Sequence, residues 1–135
     1  MEMFMFTLLD KSEYLKGLLI LARRNNSLDE KEKLVIRNVA NRLGFSKDFY
    51  EDTLKYLLGN KYITEEPIRF SNPTIARLFI KDGLELAYSD NELCERELNW
   101  LKSIVTENQL EIDWLMENIS QYEQFRENYT KVPVK

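Results

Sequence analysis

The 135-residue chain has no histidine, one cysteine, four glycines and three prolines. Without imidazole, Ser-His and Cys-His nucleophiles, histidine general bases and nitrogen-ligated zinc or iron sites are excluded. Cys94 alone permits no intramolecular disulfide, which fits a reducing compartment and sets the expectation of a cytoplasmic protein. There is no glycine-rich phosphate cradle, nucleophile elbow or cysteine cluster for metal, so a non-enzymatic protein is expected. No stretch reaches the roughly 18 uninterrupted apolar residues of a membrane span. Asp10, Lys11, Glu13 and Lys16 break up the apolar amino terminus, and Glu2 stands where a secretory signal would be basic. Membrane insertion is therefore not expected. Excess positive charge is missing too: 19 Lys and Arg face 23 Asp and Glu, a net charge of −4, so attraction to phosphate backbones is disfavoured.

What is present is helical periodicity. Tyr14, Leu15, Leu18, Leu19, Leu21 and Ala22 recur at three- and four-residue steps between Ser12 and Arg24, the pattern of a largely buried helix. Asp29 and Glu32 have the spacing of a capping box, and Leu34, Val35, Val39 and Leu43 continue a stripe that Gly44 ends. Ser46 offers the next cap, for a helix carrying Phe49, Tyr50, Thr53, Leu54, Leu57 and Leu58. Residues 61–72, with Pro67 and short β-prone pieces, read as a connector. Pro73 suits a first helical turn and leads an apolar-rich helix through Ala87. Two more follow, one from Leu93 to Thr106 and one from Leu110 to Phe125.

Laid on itself at an offset of 65, the chain repeats. Nine of the 39 positions from Lys16 to Leu54 are identical to their counterparts, among them Leu19/Leu84, Ala22/Ala87, Asn26/Asn91, Leu28/Leu93, Glu32/Glu97 and Asp48/Asp113. Apolar character is also kept at Ile36/Leu101, Val39/Ile104 and Phe49/Trp114. The expected architecture is all-α: a compact bundle of about six helices built from two quasi-repeated three-helix units, each covering faces the other leaves apolar. The organisation reads as an apolar arm at 1–9, one helical domain at 10–128 with units 10–60 and 73–128, and a polar tail at 129–135.

The matches concentrate at the first turn of each unit, Ala22 through Asn25-Asn26 and Leu28 to Glu32, and Ala87 through Asp90-Asn91 and Leu93 to Glu97. Asn and Asp tolerate left-handed backbone angles, and a Glu near the third helical position reaches back to free N–H groups. In this pattern the chain resembles the tellurite-resistance TerB-like family of all-helical domains, from about Leu15 to Ile119. That resemblance implies a bacterial, stress-related helical protein and divalent-metal binding by acidic residues. Carried over by position, the ligands are Asp90 and Glu97 in the second unit and Glu32 in the first. Asn25 stands where the family has Asp, which removes a charge that calcium, magnesium, manganese or zinc would want. The reading of these residues without the family is turn formation and capping.

Cys94 reads as a packing residue near a helix start, and Tyr50, Tyr56, Phe79, Trp100 and Trp114 read as core. Met3, Phe4 and Phe6 in the arm are candidates for partner binding or self-association, with packing on the domain as the alternative. A rival reading takes Asp48 to Ser71 as a helix followed by a two-stranded wing, with Arg23, Arg24, Arg37 and Arg42 contacting phosphates, a winged-helix DNA-binding protein. Glu65-Glu66 on the wing and the intermixing of acids with bases count against it. The expected function is a binding or scaffold protein.

Overall fold

The computed structural model describes residues 6–22, 30–59, 66–89 and 93–131. They form six helices: α1 (Leu8–Ala22), α2 (Glu30–Arg42), α3 (Lys47–Gly59), α4 (Pro73–Ala87), α5 (Glu95–Glu107) and α6 (Ile112–Lys131). No strand occurs among the described residues. Each helix of the second half begins 65 residues after its counterpart in the first, the spacing of the sequence repeat.

The backbone repeats in detail at the turn after the second helix of each unit. Gly44 and Gln109, 65 residues apart, both have positive φ, 78° and 59°. Phe45 N–H donates to Ala40 C=O and Leu110 N–H donates to Val105 C=O, each at 2.9 Å, so both turns close with one hydrogen-bond pattern. Glycine adopts this conformation freely, whereas Gln109 bears a Cβ penalty of roughly 1 kcal/mol. The second turn is fastened by its neighbour Asn108. Its carboxamide accepts from Phe70 N–H at 2.8 Å and donates to the carbonyls of Ile68 and Ile104 at 2.7 and 2.9 Å. The described part of the connector, 66–72, is thereby tied to the second unit, with Ile68 and Phe70 buried.

One core runs through all six helices, centred on α1 against α4. The repeat brings equivalent positions face to face there. Tyr14 and Phe79, counterparts 65 apart, meet edge to face with centroids 5.3 Å apart. Gly17 and Asp82 are also counterparts. The Phe79 ring lies over Gly17, where an added Cβ would be 2.5 Å from Cζ. In the mirrored contact the Tyr14 hydroxyl donates to the Asp82 carboxylate. Arg42, at the end of α2, donates to the other oxygen of Asp82, so three helices are tied by one buried carboxylate. Burial, with Asp82 beside it, raises the Tyr14 phenol far above its ordinary range, keeping it the proton donor.

Several helix details depart from the sequence expectation. The first helix starts at Leu8 rather than Ser12, because Thr7 and Asp10 form a capping box: Asp10 N–H donates to Thr7 Oγ1 and Thr7 N–H to Asp10 Oδ2, both at 3.0 Å. On α2 the buried apolar face is Ile36, Val39 and Ala40, while Leu34 is 57% exposed. With about 100° between successive residues, a stripe that buries Ile36 turns Leu34 away from the core. Tyr56 was expected in the core and is 69% exposed, since Tyr50 and Leu57 set the inward face of α3.

Candidate functional site

The residues singled out for metal binding divide between described and undescribed positions. Glu97 is buried, and its carboxylate accepts from Cys94 N–H at 2.9 Å, an arrangement that starts α5. Glu32, its counterpart on α2, is likewise buried. Asp90 and Asn25 lie outside the described residues. Among the described residues no three Cys, Asp or Glu side chains gather into a ligand set.

Of the arm residues, Met3 and Phe4 also lie outside the described residues. Phe6 is half-buried, edge to face with Tyr14 at 5.6 Å and with Phe45 at 5.9 Å. It closes the amino-terminal end of the core. Phe79 and Trp100 are core, meeting edge to face at 6.1 Å. Cys94 is partly buried at the start of α5.

One recess on the described surface corresponds to no sequence motif. It is a cleft of about 340 Å³ between α1 and α3, lined by Ser12, Glu13, Lys16, Asp52, Thr53, Tyr56 and Leu57. The two helices run in the same direction: the Lys11 ammonium sits 5.4 Å from the Phe45 ring centre just before α3, and Lys16 reaches the level of Tyr56. Lys16 is paired with Glu13 at 3.6 Å, which leaves Asp52 as the charge without an ion-pair partner among the described residues. Leu57 is buried beneath the cleft, and Tyr56 stands exposed on its rim. Leu8 and Leu9, one helical turn before Ser12 and Glu13 on α1, are 71% and 67% exposed. Helical periodicity does not mark this surface, because its exposed apolar residues lie off the buried stripe. Only their conflict with that stripe marks them.

The repeat supplies an internal control. The counterparts of Leu8, Leu9 and Tyr56 in the second unit are Pro73, Thr74 and Gln121. The same helical positions are thus occupied by polar or capping residues in one unit and by exposed apolar residues in the other, so the bundle does not need those apolar groups.

The four arginines of the DNA reading are placed as follows. Arg42 is engaged by Asp82, Arg37 is exposed on α2, and Arg23 and Arg24 lie outside the described residues. The exposed residues of α3 include Asp48, Glu51 and Asp52 beside Lys47 and Lys55. No described helix is long and apolar enough to cross a membrane. No family model, curated protein or solved structure matches this chain.

Proposed function

We propose that this chain is a non-enzymatic, TerB-like helical binding module that grips a segment of a partner protein in the α1/α3 cleft. The observation that carries the reading is the set of exposed apolar side chains, Tyr56 at the cleft and Leu8 and Leu9 one turn before its α1 wall, present in one unit and replaced by Pro73, Thr74 and Gln121 in its twin. Exposed apolar groups around a recess mark interaction surfaces more often than isolated ones do. The occupant that fits is an amphipathic peptide segment. An apolar anchor fills the space between Tyr56 and Leu57, and a Lys or Arg faces Asp52. Protein is favoured over duplex DNA because α3 would present three carboxylates to the phosphates, and because Ile68 and Phe70 are buried where a wing would stand free.

Selection from a displayed peptide library tests this, followed by fluorescence anisotropy on the recovered peptides. Sequences pairing a bulky apolar residue with Lys or Arg are expected. Tyr56→Ala should weaken their binding by roughly tenfold or more, as for a central aromatic contact. Asp52→Asn should remove the preference for the basic residue. Peptides that bind Tyr56→Ala and Leu9→Ala as tightly as the parent would overturn the proposal. So would a dimer in sedimentation that Tyr56→Ala dissociates, since the cleft would then be filled by a second copy.

A further inference from the structure

A second recess lies at the corner between α2 and α3, on the other side of α3 from the cleft just described. It has a volume of about 220 Å³ and is lined by Arg37, Asn41, Lys47, Tyr50 and Glu51. Every lining side chain is polar or charged, and their chemistry is directional. The Arg37 guanidinium and the Tyr50 hydroxyl share this recess, and the positive charge of Arg37 acts on the phenol. Arginine only donates, whereas a phenol O–H can donate to a ligand oxygen, so the two groups can serve one acceptor together. Tyr50 is 5% exposed, so its ring is held by the core and its hydroxyl is fixed at the wall of the recess. Neither Arg37 nor Lys47 has an ion-pair partner among the described residues. One wall therefore offers two cations, an amide and a fixed hydroxyl donor. Glu51 supplies the single carboxylate.

The fold does not require this set. The counterparts of Arg37, Asn41, Lys47, Tyr50 and Glu51 in the second unit are Lys102, Thr106, Ile112, Leu115 and Met116. Leu115 is fully buried where Tyr50 stands, so the packing position is satisfied by an aliphatic side chain. The Tyr50 hydroxyl, Lys47 and Glu51 are additions peculiar to the first unit.

We infer that the α2/α3 recess binds the phosphoryl group of a small phosphomonoester that also carries an ammonium group, with Arg37, Lys47, Asn41 and Tyr50 on the phosphoryl oxygens and Glu51 on the ammonium. Guanidinium and ammonium groups bind phosphoryl oxygens by charge-assisted hydrogen bonds, and Tyr50 adds a neutral donor at a fixed position. Glu51 repels a bare anion and attracts a zwitterion, which is what separates this recess from a diffuse positive patch. The site is independent of the α1/α3 cleft and stands or falls separately from it.

The test is calorimetric titration at constant ionic strength with two probes, inorganic phosphate and O-phosphoethanolamine. Both should bind saturably, phosphoethanolamine more tightly by about tenfold. Arg37→Gln should weaken both by about tenfold, and Tyr50→Phe by several-fold. Glu51→Gln should tighten inorganic phosphate and abolish the preference for phosphoethanolamine. Lys47 and Glu51 are exposed, so Lys47→Gln and Glu51→Gln retain the fold and keep the test decisive if a change at Tyr50 lowers stability. Heats that do not saturate would overturn the inference, as would heats equal to those from added chloride or unchanged in Arg37→Gln and Lys47→Gln. Saturable phosphate binding with no response to Glu51→Gln would reject the zwitterion.

Discussion

Gly17→Ala sets two well-measured effects against each other. Gly17 sits in the middle of α1, where alanine is favoured over glycine by about 1 kcal/mol on helix propensity. Read from the helix alone, the substitution stabilises. In the folded protein, however, an added Cβ would lie 2.5 and 2.6 Å from Cζ and Cε1 of Phe79 and 3.1 Å from Cδ1 of Ile68. The ring cannot swing aside at low cost, since Phe79 is fully buried and packed on Tyr14, Phe70 and Trp100 at 5.3 to 6.1 Å between centroids. Overpacking of this kind costs about 1–3 kcal/mol. Packing wins, and a net loss of about 1 kcal/mol is expected. With a urea slope near 2 kcal/mol/M, the unfolding midpoint should fall by about 0.5 M. Gly59→Ala is the control, because nothing lies within 4 Å of its would-be Cβ. A second measurement isolates the cause: in a Phe79→Leu background Gly17→Ala should no longer destabilise, giving a coupling of about 1–2 kcal/mol in the double-mutant cycle. A midpoint that rises in Gly17→Ala alone, or a cycle with no coupling, would refute the reasoning that α1 and α4 are held at this separation by glycine against the ring.

The tie at Asp82 predicts a second cycle. Asp82→Ala leaves the buried Tyr14 hydroxyl without its acceptor and should cost about 1–3 kcal/mol, and markedly less when combined with Tyr14→Phe; equal costs in both backgrounds by chemical denaturation would contradict the tie. Asp10 predicts a pH dependence. Burial alone would raise its carboxyl, but the Ser71 hydroxyl at 2.5 Å, Ser71 N–H at 2.9 Å and the Thr7 groups outweigh this and hold it below its ordinary value of 3.8. A group with a depressed folded pKa stabilises above its unfolded pKa and loses that contribution as pH falls through the folded one. The stability difference between the parent and Asp10→Asn should therefore be constant from pH 7 to about 5 and shrink below about pH 4; a difference that grows on acidification would show the sign to be wrong.

The offset of 65, read from identities such as Leu19/Leu84 and Glu32/Glu97, returns as the spacing of all three helix starts and of the two positive-φ turns. Repetition and helical period are local properties of a chain, so a single sequence carries them. The capping by Glu97 was readable for the same reason, since the carboxylate and the N–H it accepts from are three residues apart. Tyr56 and Leu34 were misplaced because apolar character does not reveal which side of a helix meets its neighbours. Packing against α1 and α4 chose Tyr50 and Ile36 instead. The aromatic residue left over then became the rim of the cleft.

The amino-acid order by itself determined that this protein is helical, duplicated, without imidazole chemistry and without a surplus of positive charge. It did so because composition, period and capping act over a few residues. Only the tertiary structure decided what lies between helices: the glycine of α1 under the Phe79 ring of α4, the phenol and guanidinium that share Asp82, the apolar cleft between α1 and α3, and the polar corner around Tyr50. Each of these joins residues from different helices. The first two depend on how the two units dock and the last two on how the helices of the first unit pack, and both depend on the summed packing of the core.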